Sequence, residues 1–214
     1  VSRKYYRSGN AAWVYYALAY YLKKFPQGTY ATEAQTKLLL GLNWIERFFI
    51  SNPSDIRYGL YSGGSGRFID GGTVFEENYQ VYWCACEHNM DMWFALSTAV
   101  SLGFTQFAER RDLVKNSIVN KLWSDSENRL YTGVNEFGID KTRYLDTSSW
   151  GGLFLLASCE TAKCKATEVS LSKYKFSTIE ASGFTAYTEQ NRTKGVWVEG
   201  SAGASLYYRA LGNI

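Results

Sequence analysis

The chain has 214 residues, 46% hydrophobic and 17% aromatic, with a net charge of +3. That length suits one domain over residues 1–214, or a piece of one, with ample apolar material for a core. The weak charge and scattered basic residues exclude a nucleic-acid stripe. No apolar run reaches the ~18 residues that span a bilayer.

The aromatic content, 17 Tyr, 7 Trp and 12 Phe, either fills a helical core or lines a cleft that stacks flat ligands, sugars above all. In chain order, Asn10–Phe25 is continuously apolar and predicts a helix buried on most sides. After the turn at Pro26–Gly28, Ala31–Phe49 is amphipathic, with Leu38, Leu42, Ile45 and Phe49 on one stripe. Pro53 breaks the chain, and "RYGLYSGGSGRFIDGG" reads as a hairpin or ordered loop. The pair then repeats: an apolar helix from Glu87, a stop at Gly103, an amphipathic helix to Trp123. Further apolar helices are expected in "DTSSWGGLFLLASCETA" and "EGSAGASLYYRALG", with a weaker amphipathic candidate over Thr167–Ile179 between them. The glycine-rich segments "NRLYTGVNEFGIDKTRY" and "SGFTAYTEQNRTKGVW" again suggest hairpins. About seven helices result, and the fold class is all-α.

Laid over one another, the helix starts expose an internal repeat. The windows are Ser8–Ala12, Glu87–Asp91, Asp146–Trp150 and Glu199–Gly203. The third column, Asn10, Asn89, Ser148 and Ser201, has N-cap residue types and is expected to cap the helices. The first column is acidic in three windows, at spacings of 59 and 53 residues. One carboxylate at a helix start gains ~0.3–1 kcal/mol from the dipole and needs no function. Recurrence alongside aromatic, glycine-rich loops suggests instead that packed hairpins bring Glu87, Asp146 and Glu199 to one rim.

"SGNAAWVYYALAYY", "CEHNMDMWFAL", "LDTSSWGGLFLLA" and "GVWVEGSAGASLYYRALG", in this order, resemble the (α/α) toroid of six-hairpin glycosidase-like proteins. More narrowly they resemble a bacterial branch with motifs of the type TGxNAW, TEHNxD, LDxxxWG and GxWxEGTA. The resemblance runs from Ser8 to Gly212 and implies a helical barrel with a carbohydrate-facing funnel. A complete toroid of this kind has about twelve helices. The resemblance therefore implies that a preceding segment or another chain completes the ring.

Glycoside hydrolysis needs two carboxylates, ~6.5–9.5 Å apart for inversion and ~5–5.5 Å for retention. Glu87 is the first choice, with Asp146 or Glu199 opposite; Glu76, Glu77 and Asp70 lie in the loop leading to Glu87. Asp91, one turn along, would orient Glu87, His88 or the substrate, or be a satisfied buried group. His88, the single histidine, suits proton transfer near neutral pH. With Asn89, Tyr79 and Tyr82 it would make a polysaccharide-lyase set; otherwise it hydrogen-bonds sugar or backbone at the rim. Trp197 is the best stacking candidate, followed by Trp83; Trp150 and Trp93 lie inside helices. The expected ligand is a carbohydrate and the expected activity hydrolysis of a poly- or oligosaccharide. A non-catalytic glycan-binding or scaffold protein and a lyase are the alternatives.

No cofactor or metal is expected. Cys84, Cys86, Glu87 and His88 fit no zinc spacing, and "YSGGSGRF" lacks the ending of a phosphate loop. Cys159 and Cys164 bracket a short loop and could close a disulfide. With the sequon Asn191-Arg192-Thr193, they lean towards an extracellular or secreted protein.

Overall fold

The structure, a computed structural model, describes residues 5–188 and 195–212. The sequon lies outside the described residues. Helix accounts for 54% of the described residues and strand for 19%, so the all-α expectation holds only in part. Among the described residues there are seven α-helices. None is long and apolar enough to cross a membrane. The backbone groups into two compact units, one of residues 1–118 with 134–138, the other of residues 119–133 with 139–214.

The first unit opens with β1 (Tyr6–Arg7) and runs straight into α1 (Ser8–Lys24). Lys23 and Lys24 fall in the last turn, where cations favour the helix dipole. α2 (Ala31–Ile45) continues into a 3-10 turn at Glu46–Phe48. As the stripe predicts, Leu38, Leu42 and Ile45 are fully buried, anchoring α2 on the core.

The glycine-rich segment that follows is an antiparallel hairpin of β2 (Gly64–Ile69) and β3 (Val74–Val81), with β1 on the outer side of β2. The turn between them uses Asp70, Gly71 and Gly72 at positive φ, which glycine adopts without a Cβ penalty. After β4 (Cys84–Ala85) comes α3 (Cys86–Ser101), whose Met90, Met92, Ala95, Leu96 and Ala99 are fully buried. Gly103, at φ 95°, follows the end of α3, and α4 (Ala108–Ser117) leads into a wider π turn at Ile118–Leu122.

α1 and α3 run side by side in the same direction. Ser8 and Gly9 meet His88 at their starts, and Tyr16 meets Phe94 two turns down, ring centroids 6.0 Å apart. Gly9 is required here because a Cβ would run into the imidazole.

The second unit opens with β5 (Trp123–Ser124) and β6 (Arg129–Leu130); β7 (Gly133–Asn135) falls mostly in the first unit and β8 (Gly138–Asp140) mostly in the second, which goes on to α5 (Asp146–Ala157), α6 (Thr161–Ser172), β9 (Lys175–Ser177), β10 (Ser182–Phe184) and α7 (Val198–Ala210). β5 pairs with β6, and β9 with β10, both antiparallel. α5 ends earlier than its apolar run suggests. Cys159 takes a left-handed φ of 65°, so α6 starts anew at Thr161 and stops at Ser172, short of the sequence expectation.

α5 and α7 also pack in parallel. Leu145 faces Gly200, Ser149 faces Gly203, and Tyr207 lies against Gly152, three successive contacts about one turn apart. Tyr207 is anchored by its hydroxyl, which donates to the Cys164 carbonyl at 2.6 Å.

Two sequence expectations are corrected. The N-caps of α1, α3, α5 and α7 are Arg7, Ala85, Leu145 and Trp197, and none makes a side-chain capping bond. The polar third column instead lies inside the first turn of each helix. Three of its members are spent on other partners, described below. Nor do Cys159 and Cys164 form a disulfide. Both are free thiols, Cys159 exposed beyond the end of α5 and Cys164 buried on the inner side of α6.

Candidate functional site

In the first unit the start of α3 carries Glu87, His88, Asn89 and Asp91, each on a different footing. Glu87 is exposed in the first turn. Asn89 is fully buried. Its carboxamide oxygen accepts the Tyr61 N–H at 2.7 Å, and its amide donates to the Tyr61 carbonyl at 3.0 Å and the Ala85 carbonyl at 2.8 Å. It fixes the loop to the helix and is unavailable to a ligand. Asp91 is 4% exposed, so it sits beneath the rim rather than on it. Burial, reinforced by Glu87 and Asp91, holds the thiol of the neighbouring Cys86 protonated, with its pKa pushed well up.

His88 is wedged between α1 and the loop. Ser8 Oγ lies 3.2 Å from Nδ1, and the Trp83 ring centroid is 5.4 Å away. Desolvation, with the nearby Arg7 charge adding to it, lowers its pKa from 6.5 to about 4. The imidazole is therefore neutral at neutral pH, and a base this weak is poorly matched to proton abstraction there. Trp83, 41% exposed, lies against Gly63, where a Cβ would come within 2.5 Å of the indole. Tyr82 is also exposed, and its carbonyl accepts the Arg57 guanidinium at 2.7 Å. Arg57 in turn grips Asp55 through two bonds of 2.9 and 2.7 Å. Arg57 and Ser8 hold these candidates in place; Ser8 opens the first repeat window, whereas Arg57 stands in no motif.

In the second unit the starts of α5 and α7 are adjacent. Leu145 immediately precedes Asp146, Gly200 immediately follows Glu199, and Leu145 packs on Gly200. The first turns that carry the two carboxylates therefore share one end of the helix pair, Asp146 half-buried and Glu199 exposed. Trp197 is half-buried and folds back over Gly200, which must lack a Cβ to admit the indole. Trp150 is half-buried inside α5.

The loop entering α5 is built on Arg129, 1% exposed and outside the sequence candidates. Its guanidinium donates to Glu127 at 2.8 Å and to the carbonyls of Leu130, Lys141 and Thr142 at 3.2, 2.7 and 3.2 Å. Arg143 completes the pair on Glu127 at 3.0 Å, and together the two cations hold the Glu127 carboxyl below its usual range against the opposing effect of desolvation. On the other side of the helix pair, Ser201 Oγ accepts the Phe184 N–H at 2.9 Å. The buried Ser148 hydroxyl pairs with Ser170 at 3.0 Å. Asn89 and Ser201 thus play similar parts in the two units, each binding the backbone of another segment, Tyr61 and the end of β10 respectively, from the first turn of a helix.

Among the described residues no group of three His, Cys, Asp or Glu side chains is arranged to hold a metal ion.

No protein-family model and no curated protein matches the chain. Solved structures do. An α-amylase from Clostridium perfringens superposes over 97% of this chain with a TM-score of 0.63 at 13% identity. A D-mannose isomerase superposes over 99%, at 0.62 and 14%. A GH76 α-mannanase from Bacteroides thetaiotaomicron superposes over 96%, at 0.63 and 10%. The chain has the fold of the (α/α)-toroid enzymes, as the motif resemblance implies. It spans about half the length of these structures, 56%, 56% and 52%, and at such identities the likeness is one of fold alone.

Proposed function

We infer that the chain belongs to a carbohydrate-active protein and that the helix starts described above handle a poly- or oligosaccharide. The fold neighbours are an amylase, a mannose isomerase and a mannanase, which supports a sugar ligand. The observation that carries the reading is the adjacency of the α5 and α7 starts, which supplies two carboxylates, Asp146 and Glu199, at one end of a helix pair. In a hydrolase one protonates the leaving oxygen while the other activates water or attacks the anomeric carbon. Trp197 is the proposed stacking surface at this end. In the first unit, taken by itself, Glu87 and Trp83 at the start of α3 are proposed for saccharide contact. The low pKa of His88 disfavours the lyase alternative and leaves it a hydrogen-bonding role.

The exposed face of α1, with Trp13 at 48% and Tyr20 at 49%, supports a further proposal. Additional helical hairpins, of the same polypeptide or of a second chain, would cover it and extend the ring.

The test is release of reducing ends from α-mannan and starch by the protein and by its Asp146→Asn, Glu199→Gln and Glu87→Gln variants. Hydrolysis expects turnover that falls at least ~100-fold in the variant of each acid that acts, with saccharide affinity retained. The exposure of Glu87 and Glu199 favours a second reading, glycan binding without turnover. That reading expects no reducing ends from the wild-type protein and weaker binding in Trp197→Ala.

A further inference from the structure

A cleft of about 330 Å³ lies in the first unit, and no residue of α3 lines it. One wall is a row across the three-stranded sheet. Tyr6 pairs with Ser65, and Ser65 with Gln80, so the three residues stand in line across β1, β2 and β3, and all line the cleft. Immediately beyond Ser65 the register slips, at Gly66 with φ 79°, which twists the hairpin and ends the flat row.

The opposite wall is the end of α2. Trp44 stands edge-on to Tyr6 at 4.9 Å and to the buried Phe48 at 5.3 Å. The Arg47 guanidinium sits 4.7 Å from the Trp44 ring centre, with its Nε–H on the Trp44 carbonyl.

We propose that this cleft is a second saccharide-binding site, taking a pyranose unit of a glycan against the surface that Trp44 and Tyr6 form together. The aromatic pair offers the apolar surface that the C–H face of a sugar ring needs. Around it stand groups that both donate and accept, as sugar hydroxyls require. The side-chain amides of Asn78 and Gln80 and the hydroxyl of Ser65 make no hydrogen bond to a described residue, and neither do the remaining Arg47 donors. Glu77 and Arg47, both on the lining, balance in formal charge, as suits a neutral ligand. The volume falls at the lower end of small-ligand sites and fits one ring rather than a long chain.

A larger cleft of about 380 Å³ between α2 and α4 lacks this character. Its central charges, Glu46 and Arg110, are spent on each other at 2.6 Å, and Arg110 also covers the Phe49 ring.

The proposed site shares no residue with Asp146 and Glu199, so it stands or fails separately from the reading above. Protein-observed NMR decides it. The Trp44 indole N–H and the Asn78 and Gln80 side-chain amides are followed while maltotetraose, α-mannotetraose or cellotetraose is added. Saturable shifts of these signals with at least one tetrasaccharide are expected. Gln80→Ala should weaken that binding by about five- to tenfold, the loss of one or two hydrogen bonds. Trp44→Phe, which keeps an aromatic between Tyr6 and Phe48, should weaken it while the circular dichroism spectrum is retained. The same titration should be unaltered in the Asp146→Asn and Glu199→Gln variants. Absence of these shifts with all three tetrasaccharides, or an unchanged affinity in Gln80→Ala, overturns the proposal.

Discussion

Asn89 binds both backbone polar groups of Tyr61, accepting its N–H at 2.7 Å and donating to its carbonyl at 3.0 Å. The residue is fully buried, so neither group of Tyr61 finds water when the side chain is removed. The Tyr61 hydroxyl in turn donates to Glu46 at the end of α2, which ties three segments of the unit together.

Asn89→Ala removes three hydrogen bonds, two of them buried, and orphans their partners. A loss of about 3 kcal/mol is expected, at roughly 1 kcal/mol per bond. Guanidinium unfolding should show a lower midpoint with an unchanged slope. An effect within experimental error would mean that the loop is held by other contacts.

His88 makes stability depend on pH in a defined direction. Its pKa is pushed from 6.5 down to about 4 in the folded protein, so between these values the unfolded chain binds the extra proton. The contribution is fully present above pH 6.5, shrinks as pH falls, and is gone below about 4. At full extent it amounts to about 3 kcal/mol. The difference in unfolding free energy between wild type and His88→Gln should therefore shift by that amount from pH 7 to pH 4, with the wild type losing more. A pH-independent difference would place the imidazole in water.

Arg129→Met keeps most of the volume but leaves Glu127 and the carbonyls of Leu130, Lys141 and Thr142 without this donor. Breaking one partner of a buried pair typically costs ~3–5 kcal/mol. The lower end is expected here because Arg143 still reaches Glu127. Thermal unfolding measures the loss, and amide exchange should speed up in the loop before Asp146. A variant as stable as the wild type would remove Arg129 from the account of how that loop is held.

Much of this fold is legible in the sequence because the helices carry their burial pattern on the surface of the text. Leu38, Leu42 and Ile45 recur at helical spacing and are buried as expected. The windows beginning at Glu87, Asp146 and Glu199 do open three inner helices. The roles inside those windows were not legible. Asn89, Ser148 and Ser201 have cap-type side chains, yet residue type does not reveal whether a helix begins at that residue or two to four positions earlier. With the helix begun earlier, the same groups reach loop backbone and a neighbouring helix. Arg129 escaped notice for a related reason. A lone basic residue in a glycine-rich segment looks solvated until the carbonyls of residues 141 and 142 converge on it. The cleft at Trp44 was equally hidden, since its two walls are separated in sequence and only strand register brings Tyr6, Ser65 and Gln80 into line.

The proposed engagement of a glycan by the adjoining starts of α5 and α7 is read out by hydrogen–deuterium exchange with and without α-mannotetraose or maltotetraose. Slower exchange at residues 145–150 and 197–203 on adding one of them, abolished by Trp197→Ala, is expected. Unchanged exchange in both segments at saturating saccharide would refute that engagement.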